Sequence, residues 1–198
     1  MRTGAVDEPA TVDRLVVVSW NVHVGGGDLY ALVDDLRAGR LTHGRPVANF
    51  VLLLQEAFRD DPGLPSGVEG PFARAIRPGA KNRLRQDIEA VAERLGLHLF
   101  YVPSMRNGSP EDGMEDRGNA VLSTVPLQGL QAIELPFERQ RRVAAAARVE
   151  LRTADGDTLP LHVVSVHLDN RPGLRRLFVL APPARARQMR GLLDALPK

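Results

Sequence analysis

The feature that most constrains the fold is a pair of short, uninterrupted apolar runs with one helix-length segment between them. Residues 15–18 and 50–54 are rich in valine and leucine, which is typical of strands buried on both faces. Between these runs, Asp28 is placed to cap a helix whose apolar stripe extends to about residue 37, and Gly39 can end it. The order strand, helix, strand predicts a layered α/β architecture.

The rest of the chain is predicted to be rich in strands. Residues 84–95 have the periodicity of a second amphipathic helix, residues 97–102 of a strand, and residues 104–117 have the polar composition of a long exposed loop. Four further strands are predicted at residues 120–123, 127–135, 143–151 and 159–167. A closing helix is predicted to begin at Pro182-Pro183. We therefore expect a layered α/β sandwich with mixed, largely antiparallel sheets.

Composition favours a single domain. A chain of 198 residues that is 43% hydrophobic can bury a core. We predict a flexible N-terminal segment over residues 1–13 and one domain over residues 14–198. Residues 1–13 lack the basic start and apolar run of a secretory signal, so we also predict a cytoplasmic location. No stretch approaches the roughly 20 apolar residues that a membrane-spanning helix needs.

Charge and cysteine content narrow the chemistry. The formal net charge of +2 gives a weak field for capturing a polyanion, so nucleic-acid binding is permitted and not indicated. The chain has no cysteine, which excludes disulfides and thiolate metal sites.

Polar side chains follow three of the predicted strands. Asn21 follows the first strand and precedes three glycines, and its amide could orient a phosphate or a metal-bound water. Glu56, in the pair Gln55-Glu56, follows the second strand as a hard oxygen ligand of the kind that Mg²⁺ prefers. His167 ends the last strand, where it could protonate a leaving oxygen or stabilise phosphoryl charge. Taken singly, each also has a structural explanation as a turn-capping Asn, a solvent-facing acid or a packed histidine.

Two weaker candidates join this set. Arg141-Arg142 opens a predicted strand, where a guanidinium could clamp phosphate oxygens, although charged residues at strand starts are usually just solvated. Asn170 lies three residues beyond His167 and is a candidate phosphate ligand. The glycine run at 25–27 fits neither the dinucleotide-binding nor the P-loop spacing.

Four short motifs carry a family resemblance through their order along the chain. They are Trp20-Asn21, Gln55-Glu56, Gly118-Asn119-Ala120-Val121-Leu122-Ser123 and Ser165-Val166-His167-Leu168. From about residue 15 onward, the chain resembles the endonuclease/exonuclease/phosphatase family, which includes pancreatic deoxyribonuclease and exonuclease III. The resemblance implies a deoxyribonuclease I-like fold and a hydrolase that uses Mg²⁺ or Mn²⁺ on a phosphate ester, with nucleic acid among its candidate substrates.

The resemblance also implies roles for individual residues. It places Asn21 and Glu56 beside the metal and the scissile phosphate, which makes both of them candidate metal ligands. It gives His167 the role of the family histidine. It suggests that Arg142, with Arg148 at a similar spacing, corresponds to an arginine that touches phosphate in the deoxyribonuclease branch.

Two family motifs are missing from the sequence. Gly27-Asp28 and Gly156-Asp157 lack the Asn that a Gly-Asp-x-Asn motif requires, and no histidine after His167 could complete an Asp-His dyad. We therefore expect the chain to be the N-terminal portion of such a domain. The leading hypothesis is a metal-dependent phosphoesterase for phosphodiesters or phosphomonoesters, with nuclease activity as one form. The alternatives are a non-catalytic remnant that at most binds phosphate or a protein, and an interaction domain without this chemistry.

Overall fold

The described part of the chain contains eight strands and three helices. The computed structural model describes residues 10–11, 14–60, 84–107, 115–138, 140–153, 155–169 and 181–197. In chain order the elements are β1 (Ala10–Thr11), β2 (Val16–Asn21), α1 (Leu29–Arg37), β3 (Phe50–Asp60), α2 (Ile88–Leu95), β4 (His98–Asn107), β5 (Glu115–Ser123), β6 (Gln128–Glu134), β7 (Val143–Arg152), β8 (Thr158–Val166) and α3 (Ala181–Ala195).

The strands form two mixed sheets. The first sheet has the order β2-β3-β5-β4, in which β2 and β3 are parallel and the other neighbours are antiparallel. In the second sheet, β7 pairs with β8 along one side and with β6 and β1 along the other. Only the short β1 runs parallel to β7. The pairing is thus largely antiparallel, as predicted.

The two sheets pack face to face, and helices cover their outer faces. α1 and α2 pack on the outer face of the first sheet, around residues such as Phe50 and Leu122. Between the sheets lies a core of small apolar side chains that includes Val121 and Ala145. Leu192 of α3 packs against the outer face of the second sheet. The resulting order of layers, helix, sheet, sheet, helix, confirms the predicted layered α/β sandwich.

The first two helices begin at the side-chain caps that their sequences supply. Asp28 accepts a hydrogen bond from the backbone N–H of Ala31, and Asp87 accepts one from Ala90. Because Asp87 is the N-cap, α2 begins four residues later than predicted. Leu84 therefore lies before the helix and is almost fully exposed. Gly96, in the left-handed conformation, ends α2. None of the described helices is both long enough and apolar enough to cross a membrane.

The structure corrects the predicted end of β3. The apolar run predicts a strand that stops before Gln55-Glu56, whereas β3 continues through both residues to Asp60. Glu56 therefore lies within a paired strand and not at its open end.

The segment predicted as a long exposed loop is strand at both of its ends. β4 continues into residues 104–117, and β5 begins before that segment ends. Glu115 and Asp116 are buried there because Arg85 and Arg59 pair with them. Acidic residues are seldom buried without such partners, and a polarity pattern does not reveal partners that are distant in sequence.

The prediction of a flexible segment over residues 1–13 is not tested by the structure and stays a prediction. Within that range, Ala10 and Thr11 pair in parallel with Leu151 and Arg152 of β7.

Gly118 provides a test of the register between β4 and β5. A Cβ at this position would lie 2.0 Å from the carbonyl oxygen of Val102, a backbone atom that moves only if β4 moves. We expect Gly118→Ala to lower the free energy of unfolding in urea by about 3 kcal/mol. Gly96→Ala is the control, because a Cβ there meets nothing within 4 Å, and we expect it to cost about 1 kcal/mol for the left-handed conformation. Equal losses for the two variants would contradict the register.

Candidate functional site

The site is built around a β-bulge in β3. Gln55 pairs with Asn119 and Ala57 pairs with Gly118, which leaves Glu56 as an extra residue without a partner position on β5. Glu56 has a φ of 56°, a conformation that is uncommon outside glycine. In a regular strand, consecutive side chains point to opposite faces. The bulge suspends that alternation and lets Gln55 and Glu56 both face the second sheet.

The end of β8 meets the bulge from the second sheet. Gln55 Nε2 donates to Ser165 Oγ at 3.2 Å, and Ser165 Oγ donates to the carbonyl oxygen of Leu54 at 2.7 Å. His167 lies two residues beyond Ser165 and directly follows the end of β8. The Nδ1 atom of His167 lies 3.7 Å from Oε1 of Glu56. The structure therefore brings the predicted carboxylate and imidazole together.

A further polar link joins the two sheets at the same end. Asn119 of β5 is 2% exposed, and its Nδ2 donates to the carbonyl oxygen of Val143 at 2.6 Å. Val143 is the first residue of β7 and follows Arg142 directly. A buried amide requires such a partner. Asn119 therefore fixes the start of β7 beside the bulge.

Asn21 lies on the strand next to the bulge. It is the last residue of β2 and pairs in register with Gln55. Its Oδ1 accepts the backbone N–H of His23 at 2.9 Å, so Asn21 does cap its own turn. The loop that follows is attached to the bulge, because the N–H of Gly25 donates to the carbonyl oxygen of Glu56 at 3.2 Å. An amide oxygen has two lone pairs, so this capping bond does not exhaust its capacity to accept.

Two arginines shape the electrostatics of His167. Burial and the nearby positive charge of Arg142 lower the pKa of His167, and Arg117 acts in the same direction. The carboxylate of Glu56 partly opposes them by raising this pKa. The imidazole is therefore mainly neutral at pH 7. Arg142 is only 4% exposed and donates to Gln140 Oε1 at 3.1 Å, so it is not the solvated strand-start residue of the alternative explanation.

Arg148 is not brought to this site. It pairs in register with His162. Its guanidinium donates to Gln128 Oε1 at 3.0 Å and forms an ion pair with Glu150 Oε1 at 3.0 Å. It also lies six residues beyond Arg142 along the chain, which corresponds to about 20 Å of strand. The two arginines whose spacing resembles that of the family therefore lie apart.

The remaining candidates are one untested residue and one that sequence reasoning missed. Asn170 lies outside the described residues. The sequence does not predict a role for Arg117, because its segment is predicted to be an exposed loop. Its sequence signal is its position two residues before Asn119, which puts both side chains on the face of β5 that looks toward the second sheet.

The donor atoms at the bulge are of the kind that a divalent cation takes when water and a ligand complete its coordination. Among the described residues, no group of three or more His, Cys, Asp and Glu side chains could hold a metal ion. Glu56 and Asn21 instead offer one carboxylate and one amide oxygen on neighbouring strands. Mg²⁺ in proteins often takes one or two carboxylates and completes its shell with water and phosphate oxygens.

Comparison with known proteins gives a match among the solved structures. A solved structure that matches is an endonuclease/exonuclease/phosphatase family protein from Leptotrichia buccalis C-1013-b, with a TM-score of 0.48 and 12% sequence identity. The match covers 92% of this chain and 63% of that one, so this chain spans less than two thirds of its length. No protein-family model matches the chain, and no curated protein matches it.

The backbone of Glu56 yields a stability prediction. A residue other than glycine in the left-handed region costs about 1 kcal/mol or more, and glycine avoids that cost. We expect Glu56→Gly to be more stable than Glu56→Ala by about 1 kcal/mol. Chemical denaturation of the two variants measures this difference. A Glu56→Ala variant as stable as Glu56→Gly would show that the residue is not in the left-handed region.

The charges around His167 yield a titration prediction for the metal-free protein. Removing the positive charge in Arg142→Gln should raise the pKa of His167, and removing the negative charge in Glu56→Gln should lower it further. NMR titration of the His167 imidazole measures both shifts, and His162→Gln serves as the control that leaves them unchanged. Shifts of the same sign in both variants would contradict the arrangement.

Proposed function

We propose that this chain carries the site of a divalent-metal-dependent phosphoesterase that hydrolyses a phosphodiester or a phosphomonoester. The observation that supports this most directly is the 3.7 Å approach of the Glu56 carboxylate and the His167 imidazole, next to the charges of Arg142 and Arg117. Transfer at a phosphoryl centre requires an acidic side chain that binds the metal ion and positively charged side chains that bind the phosphate.

The first roles in this proposal concern the metal. Glu56 and Asn21 would hold Mg²⁺ or Mn²⁺, which when bound supplies Lewis-acid polarisation of the phosphate ester. The bulge holds Glu56 in place through the backbone bond from Gly25 and the pairing on either side of it. The carboxylate is thus preorganised on a strand and not on a mobile loop.

The other roles concern the phosphate. Arg142 offers a guanidinium whose burial strengthens its attraction for an anion, since the local dielectric is low. His167 is mainly neutral in the free protein, but a bound phosphate would raise its pKa and favour the imidazolium. In that form it donates a proton or a hydrogen bond to a phosphate oxygen. Asn170 stays a candidate phosphate ligand.

The substrate class is proposed only as far as the phosphate ester. Nucleic acid is one candidate within that class, and the net charge of +2 does not single it out. Folds of one kind host many phosphoester chemistries, so the fold does not narrow the substrate further.

Phosphate binding without turnover is the second candidate. It is favoured by Arg142 and Arg117, because both positive charges act on the His167 site. They could attract a phosphate there without the help of a metal ion. A binding domain of this kind would hold inorganic phosphate equally well with or without added Mg²⁺.

The leading proposal predicts metal-dependent hydrolysis that requires Glu56. With bis(p-nitrophenyl) phosphate and p-nitrophenyl phosphate as probes, we expect turnover with Mg²⁺ or Mn²⁺, and a loss of at least about a hundredfold in kcat/KM for Glu56→Gln. Glu93→Gln, an exposed acid on α2, is the matched control and should retain the full rate. If wild-type protein binds phosphate but hydrolyses neither probe with either metal, the hydrolase proposal is contradicted. Phosphate binding without turnover is then the supported function.

A further inference from the structure

Arg142 and His167 both lie just outside the strands that bring them to the site. Arg142 ends the connection between β6 and β7, residues 135–142, and His167 begins the segment 167–169 after β8. The backbone of Arg142 is still attached to the end of β6, because its carbonyl oxygen accepts the N–H of Leu135 at 2.9 Å. How the Arg142 side chain lies relative to His167 depends in addition on contacts between the two segments.

Gln188 of α3 contacts both of these segments. Its side chain is fully buried. Its Oε1 accepts the backbone N–H of Asp169 at 2.8 Å, and its Nε2 donates to the carbonyl oxygen of Pro136 at 3.3 Å. A buried amide with one bond to each segment fixes the distance between them, because both of its polar ends are used.

Neighbouring residues on α3 reinforce the same two attachments. Arg185 Nε donates to the carbonyl oxygen of Asp169 at 3.1 Å. Arg187 pairs with Glu138 in the other segment at 2.6 Å. The absence of a side chain at Gly191 allows the close approach of Pro136, since a Cβ would lie 2.7 Å from the ring.

The two segments also bond to each other beside this attachment. The backbone N–H of Gln140 donates to Oδ2 of Asp169 at 3.2 Å, and the side chain of Gln140 accepts from Arg142. Asp169 is 4% exposed. A continuous set of hydrogen bonds thus runs from Gln188 through Asp169 and Gln140 to the Arg142 guanidinium.

We propose that Gln188 is a positioning residue that sets the placement of Arg142 relative to His167. The inference rests on the proposed function in taking those two residues as the phosphate ligands. It gives α3, on the outer face of the second sheet, a role in positioning the residues of the site. Gln188 touches neither metal nor substrate and acts through Asp169 and Gln140.

Gln131 of β6 offers a control, because it makes a hydrogen bond to the same helix. Its Nε2 donates to the carbonyl oxygen of Ala195 at 3.2 Å and so joins β6 to the end of α3. It contacts neither residues 135–142 nor residues 167–169 through that bond. Gln131→Met therefore removes a link between α3 and the sheet without touching the proposed attachment.

The test that needs no activity is NMR of the full chain with Gln188→Met and Gln131→Met. Methionine matches glutamine in length but makes neither hydrogen bond. We expect Gln188→Met to increase hydrogen exchange at the Asp169 and Gln140 amides and to shift the side-chain resonances of His167 and Arg142. Gln131→Met should change none of these four signals. Unchanged His167 and Arg142 resonances beside a deprotected Asp169 amide would overturn the proposal.

A kinetic arm separates this inference from the proposed function. We expect Gln188→Met to lower kcat/KM about tenfold to a hundredfold, mostly through KM, while the concentration of Mn²⁺ that gives half-maximal rate stays unchanged because Glu56 is not displaced. Wild-type protein without turnover would refute the proposed function, and the NMR result would still decide whether Gln188 positions the two residues.

A second variant covers the case in which Gln188→Met does not fold. Arg185 is exposed, so Arg185→Met removes the bond to the Asp169 carbonyl without leaving a cavity. We expect smaller shifts at His167 in this variant, and their restoration in Arg185→Lys. No shift at His167 in a folded Arg185→Met protein, when Gln188→Met does not fold, would count against the proposal.

Discussion

The bulge at Glu56 is the constraint on which the site depends. It inserts one residue into β3 and so allows two consecutive side chains to face the second sheet. One of them, Gln55, makes a hydrogen bond to Ser165, and the other approaches His167. Without the extra residue, Glu56 would follow the strand alternation to the helix-covered face, and the carboxylate would be separated from the imidazole by the sheet.

The two sheets are joined differently along their length. Most of the space between them is filled by valine and alanine, whose packing sets a separation but makes few directional bonds. At the site, Gln55, Ser165 and Asn119 replace these contacts with hydrogen bonds between the sheets. Buried polar links of this kind fix the relative position of two elements because each unmade bond is costly. Residues of the four motifs therefore both form the site and hold its two sides together.

The layered fold and the meeting of Glu56 with His167 could be predicted, because apolar runs, the Asp28 cap and polar strand ends are local signals. The bulge could not, since no local pattern indicates a positive φ at a glutamate. Gln188 was missed for a related reason: a glutamine on a helix is usually exposed, and only the three-dimensional contacts show its burial. Arg148, whose spacing from Arg142 resembles that of the family, contacts Gln128 and not the residues of the site.

Paramagnetic relaxation by Mn²⁺ measures most directly whether the bulge and the end of β8 form one cation site. With substoichiometric Mn²⁺, we expect the amide signals of Asn21, Glu56 and His167 to broaden first, because relaxation falls steeply with distance from the ion. The exposed His162, earlier on β8, should keep its signal at the same Mn²⁺ concentration. Broadening that starts at the exposed acids of α1 and α2 and leaves Glu56 and His167 sharp would contradict the assignment of the site.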